Sequence, residues 1–146
     1  MSTDFLRTVE ARMQIPKSIL TVLNQLYEVE QKLTKRDDPA GLARNIAKIK
    51  DALAEEGLPA FDANGDQLRI GLAYEDPTGQ RFKETRTDLE VSIAGEGTEN
   101  LVVVEVIKPI IRATWKDGVG ERAKIVQKGI VIVESRKELQ NCEYHD

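Results

Sequence analysis

The apolar periodicity of this chain changes once, at Gly57-Leu-Pro59. Before that point apolar residues recur three and four positions apart, and after it they alternate every second position. The first spacing lines one face of an α-helix and the second one face of a β-strand. Helices therefore come first and strands follow, and the expected class is α+β.

From Pro16 onward Ile19, Leu23, Leu26, Glu30 and Leu33 keep helical spacing, with Val22 and Val29 widening the apolar stripe. Pro16 suits a first turn, where its missing N–H costs little. A helix from there to Lys35 would be about 30 Å long. Residues 1–14 mix charged and apolar side chains and carry neither a start nor a stop signal. Asp37-Asp38-Pro39 breaks the helix and restarts it, since Asp38 can cap the next one and Pro39 can open it. Leu42, Ile46, Ile49 and Leu53 then share a face beside Ala43, Ala47 and Ala52. Gly57 accepts the left-handed conformation that closes a helix, and Pro59 cannot continue it.

These two helices are expected to form an antiparallel hairpin within residues 1–58. Two amphipathic stripes of this width cannot fully cover each other. A second copy of the chain would complete a dimeric four-helix bundle by two-fold symmetry, burying Ile19, Leu23, Leu26, Leu33, Ile46, Ile49 and Leu53. The alternative is that the helices pack on the chain's own β region.

Residues 59–134 read as a small, mainly antiparallel β domain of four or so strands, followed by a polar tail over residues 135–146. Asn64-Gly65 and Asp76-Pro-Thr-Gly79 are turn signals, and Leu68, Ile70 and Leu72 alternate between them. Leu89, Val91 and Ile93 alternate again before Gly95-Glu-Gly97. Two apolar runs follow, Leu101-Val-Val-Val-Glu-Val-Ile107 and Ile125-Val-Gln-Lys-Gly-Ile-Val-Ile-Val133, joined by a polar connection that turns at Asp117-Gly-Val-Gly120.

Composition excludes several classes. No apolar run approaches the about 18 residues that cross a bilayer, and Met1-Ser-Thr-Asp-Phe-Leu-Arg7 lacks the basic-then-apolar order of a signal peptide. No membrane association is expected, and the location is expected to be cytoplasmic. A net charge of −4 does not suit sequence-independent nucleic-acid binding, which needs a basic surface to displace phosphate counterions. The lone cysteine, Cys142, has no internal disulfide partner, in keeping with a reducing compartment.

Chemistry-bearing motifs fail on inspection. Asp62, Asn64 and Asp66 open like a calcium loop, but Gln67 holds the position of the required glycine and Ala73 that of the bidentate glutamate, which leaves an ordinary turn. Cys142 and His145 are two ligands short of a zinc site. No glycine cluster builds a phosphate loop between a strand and a helix, and the helical carboxylates alternate with Lys and Arg as a solvated face does. No cofactor, metal or enzymatic activity is expected. Trp115, beside Arg112 and Lys116, has two open readings: a packing residue, or an anchor for a partner.

With its elements placed, the chain from about Ile15 to Glu134 resembles the nucleotide exchange factors of the GrpE family. Ile15-Pro-Lys-Ser-Ile-Leu-Thr-Val-Leu-Asn-Gln-Leu26 is similar to the family's first bundle helix, and Ile49-Lys-Asp-Ala-Leu-Ala-Glu-Glu-Gly57 to the helix ending in Glu-Gly before the β domain. Gly79-Gln-Arg-Phe82 resembles its Gly-x-x-Phe, Val102-Val-Val-Glu-Val-Ile107 its Val-Val-Glu-Val-Leu strand, and Ile130-Val-Ile-Val133 its closing Met-Val-x-Val strand. Thr87 stands where the family has histidine, Ile110-Ile111 where it has Gly-Tyr, and Gln127-Lys-Gly129 where it has Arg-Pro-Ala. Most of the family's N-terminal coiled coil has no counterpart.

The resemblance implies a homodimeric co-chaperone, not an enzyme, that binds the ATPase domain of a DnaK-type chaperone and promotes ADP release. A dimeric interaction adaptor on the same scaffold, without exchange activity, is the second reading. By position, Lys124 falls at a partner-contacting arginine, Ile107 at an apolar contact, and Gly57 at the glycine between helix and β domain. Each has a plainer reading too: a solvated edge charge for Lys124, core for Ile107, helix termination for Gly57. Arg112 and Lys116 are added because a basic segment suits an acidic partner surface.

Overall fold

The computed structural model describes residues 15–36, 41–62 and 64–136. Over these residues it is an α+β structure of two α-helices and seven strands in two sheets. The helices are α1 (Lys17–Thr34) and α2 (Leu42–Asp51), and α2 runs on into one π-helical turn, Ala52–Glu56. Pro16 stands just before α1, and its carbonyl accepts the Ile19 N–H at 3.0 Å. Gly41, with φ of 70°, precedes α2. Asp38 and Pro39, read above as the restart, lie outside the described residues, as do residues 1–14, Cys142 and His145.

The strands are β1 (Leu58–Phe61), β2 (Gln67–Glu75), β3 (Leu89–Ala94), β4 (Leu101–Lys108), β5 (Ile110–Asp117), β6 (Gly120–Gln127) and β7 (Gly129–Ser135). One sheet has the order β1-β2-β5-β6, the other β3-β7-β4. β1 and β2 are antiparallel, with Leu58 opposite Ile70 and Phe61 opposite Gln67. Their connection is the ordinary turn expected at Asp62, whose Oδ1 accepts the N–H groups of Asn64 and Asp66 at 2.9 and 2.8 Å. In the second sheet β7 is central, parallel to β3 and antiparallel to β4.

Two sequence expectations are corrected. The polar connection after Ile107 is a strand, β5, in which Ile111, Ala113 and Trp115 are buried while Thr114 and Lys116 are exposed. Pro109 ends β4 and hides the alternation that follows, since it can give no N–H to a ladder. The run Ile125–Val133 is likewise two strands, parted at Lys128. At both breaks the chain passes from one sheet to the other. The Gln127 side-chain amide donates to the Pro109 carbonyl at 2.9 Å, tying the two crossings together.

The chain divides into two compact units: the described residues up to Tyr74 with Arg112–Lys124, and Glu75–Ile111 with the residues from Ile125 on. Leu23, Tyr27, Ile46, Ile70, Leu72, Ala113 and Trp115 are the buried apolar residues of the first. Leu89, Leu101, Val103, Ile110, Val131 and Val133 form the core of the second, with Phe82, Val91, Val106 and Ile125 packed against it. Each fully buried branched side chain contributes about 1.5–3 kcal/mol of transfer free energy.

Candidate functional site

Ile107 owes its position to two irregularities in β4. The β4–β7 register slips between Val103 and Glu105 and again between Val106 and Lys108, leaving Val104 and Ile107 without direct partners. A bulge of this kind turns the strand and re-aims the side chain. Val103, Val131 and Val133 are fully buried, whereas Ile107 is 51% exposed, between the half-buried Val106 and the exposed Lys108. Its exposure removes the reading of Ile107 as core. Ile107 is thus an apolar side chain held out on a strand, with the exposed Glu105 and Lys108 beside it.

The other candidates share the β5–β6 hairpin in the first unit, apart from Ile107 in the second. Asp117 fixes the hairpin's turn by accepting from the N–H groups of Val119 and Gly120 at 2.7 and 3.1 Å and from Arg122 Nε at 3.0 Å. Those bonds, the Val119 N–H foremost and the Arg122 guanidinium next, hold the Asp117 carboxyl below its ordinary pKa. Lys116 lies 3.7 Å from Glu121 across the hairpin, both largely in solvent. A pair so exposed contributes at most about 1 kcal/mol. Lys124 is exposed on β6, an edge strand, and Arg112 is half-buried on β5.

Trp115 lies in strand, not loop, and is only 5% exposed. Its Nε1–H is buried with no hydrogen-bond partner among the described residues, a cost of about 1–3 kcal/mol. The ring is thus a packing residue, and of the hairpin candidates Lys116 and Lys124 are the exposed ones. An open concavity of about 740 Å³ lies beside them, walled by Glu55, Arg69, Thr114 and Lys116 among others.

Where the helices meet the sheet, the backbones come very close. Gly57, at φ of 62°, gives its N–H to the Ala52 carbonyl at 3.0 Å and closes the π turn. A Cβ there would lie 2.0 Å from the Ile70 carbonyl oxygen, and one at Gly71 would lie 2.2 Å from that of Ala54. Glu30 anchors the same region: Lys50 Nζ approaches its carboxylate at 3.2 Å and the Tyr74 hydroxyl donates to it at 3.0 Å. The Tyr74 ring meets Tyr27 edge-on at 5.8 Å. Burial first, then the bond to Glu30, pushes the Tyr74 hydroxyl's pKa well up.

The residues read as a dimer interface divide by exposure. Leu23 and Ile46 are already buried in the single chain. Ile19, Leu26, Leu33 and Leu53 are half-buried, and Ile49 is exposed. Val22 and Val29, which sequence reading used only to widen the stripe, are 45% and 44% exposed. With Ile19, Leu26 and Leu33 they repeat at alternating steps of three and four, the spacing of a coiled-coil seam. That interval was the signal for them, and Leu23 and Tyr27 belong to the neighbouring buried flank of α1.

Comparison of the chain with protein-family models, curated proteins and solved structures returns no match. The functional reading therefore stands on the residues themselves.

Proposed function

We propose that the chain is a GrpE-like co-chaperone: a cytoplasmic homodimer that binds the ATPase domain of a DnaK-type chaperone and promotes ADP release, with no catalysis of its own. The observation that carries the reading is Ile107, which the resemblance assigns to an apolar partner contact and which a bulge holds half exposed. Lys124, at the assigned basic contact, is a surface residue as well. The seam on α1 supports assembly of two copies into a helical bundle through Ile19, Val22, Leu26, Val29 and Leu33.

The adaptor reading rests on the departures at Ile110-Ile111 and Gln127-Lys-Gly129, and these are mostly interior. Ile110 and Ile111 are fully buried, and Gly129 faces Ile110 so closely that a Cβ there would lie 2.9 Å from the Ile110 side chain. A bulky Ile110 and a bare Gly129 are thus complementary, and only Lys128 among these residues is exposed. Changes that repack an interior leave a binding face in place, which favours the exchange factor over the adaptor.

An exchange factor must bind the open, nucleotide-free ATPase domain more tightly than the closed one, because equal affinity shifts no equilibrium. Calorimetric titration of a DnaK-type ATPase domain from the same cell is expected to show tighter binding without ADP than with it, by at least about tenfold, or 1.4 kcal/mol. Equal affinity in the two states would leave an adaptor, and no binding would remove both readings.

A further inference from the structure

The two sheets have four edges, and three of them are protected. An edge strand offers unpaired N–H and C=O groups to any extended chain, and proteins blunt it by shortness, proline, charge, bulges or cover. β1 is four residues long and includes Pro59. β6 carries Glu121, Arg122 and Lys124. β4 has its two bulges, and its outer edge is covered by the segment Gly79–Phe82. Gly79 and Phe82 donate to the carbonyls of Val103 and Leu101 at 2.9 and 2.8 Å, and Val103 donates back to Gln80 at 2.9 Å.

β3 carries one of these devices, the acidic Glu90, and none of the others among the described residues. It pairs with β7 along all six of its residues, Leu89 to Ala94, without a register shift. It contains no proline and no basic residue. Among the described residues, nothing bonds to the backbone on its other side. Leu89, Val91 and Ile93 point to one face, and Ile93, at the end, is 49% exposed. Glu90, Ser92 and Ala94 point to the other and are all exposed.

The charge along this edge is negative. Asp88 is neutralised by Arg86, whose Nε and Nη2 reach its two carboxylate oxygens at 3.0 and 2.9 Å. Glu90 remains, with Glu134 of β7 opposite Ala94 and Glu96 just past the strand.

We propose that β3 is a strand-addition site for an extended segment of a partner protein in which valine or isoleucine alternates with lysine or arginine. The main chain of that segment continues the sheet. Its apolar residues cover Val91 and Ile93 on one face, and its basic residues meet Glu90 on the other. A second copy of β3 is the poorer occupant, because it would bring another Glu90 and Glu96 to an edge that is already acidic. The site is separate from the chaperone contacts above and survives their failure.

The test is a titration of the full chain, isotope-labelled for NMR, with a seven-residue peptide alternating valine and lysine. The amide signals of residues 89–94 are expected to shift most. Glu90→Lys and Ile93→Lys, both at exposed positions that leave the fold intact, are expected to weaken binding at least tenfold. The same peptide N-methylated along its backbone is expected to lose binding, since it keeps its charges and lacks ladder donors. Absence of binding, shifts centred elsewhere, or equal binding of the N-methylated peptide would overturn the proposal. So would self-association of the protein alone that Ile93→Lys abolishes, which would give the edge to a second copy.

Discussion

A methyl group added at Gly71 would meet the Ala54 carbonyl oxygen at 2.2 Å, and one at Gly57 would meet the Ile70 carbonyl oxygen at 2.0 Å. Both obstacles are backbone, which cannot swing aside as a side chain can. Gly57→Ala also forces a side chain into φ of 62°. Each substitution is expected to cost about 3 kcal/mol, the upper end for overpacking a closed site, measured as a lower urea midpoint. Gly65→Ala, in the β1–β2 turn with open space around its Cβ position, carries only the cost of its positive φ and should fall well short of that. The sequence identifies Gly57 as a helix terminator, but it contains no sign that Gly57 and Gly71 serve the same approach of helix end to strand. That approach joins residues distant along the chain, and no local pattern encodes it.

At the scale of elements, α1, α2, β2 and β3 are legible because each is amphipathic within its own length, and β4 because it is an apolar run of strand length. Three features are not. β1 is four residues containing a proline, too short for alternation to register. β5 does alternate, with Ile111, Ala113 and Trp115 inward, but Arg112 among them and Lys116 just after them imitate a charged loop. The break at Lys128 falls inside an apolar run because both halves of that run are strands. Helix α1 carries two faces whose separation needed the structure: Leu23 and Tyr27 buried, Val22 and Val29 outward.

The two faces of α1 predict different losses. Leu23→Ala is expected to lower the stability of the fold by about 2–5 kcal/mol, the usual cost of emptying a buried leucine site. Val22→Lys with Val29→Lys, at exposed positions, is expected to leave the circular dichroism spectrum unchanged and convert a dimer to a monomer by light scattering. A wild-type protein that is already monomeric at high concentration would remove the bundle from the account.

At the scale of the whole molecule, two compact units carry the candidate contacts, Lys116 and Lys124 on one and Ile107 on the other. Neither unit assembles a group of side chains suited to metal binding among the described residues. A bulge in β4 holds Ile107 out, and Asp117 fixes the turn of the β5–β6 hairpin. The resemblance alone singles out Ile107 and Lys124, Lys116 is chosen for its charge, and the bulge in β4 accounts for the exposure of Ile107.

The most direct measurement is the release rate of a fluorescent ADP analogue from a DnaK-type chaperone of the same cell, followed by stopped flow. The wild-type protein is expected to accelerate release at least tenfold. Ile107→Asp and Lys124→Glu should each return most of that gain while leaving fold and dimer unchanged. A release rate indifferent to the wild-type protein, with every such chaperone of the cell, would contradict the co-chaperone reading.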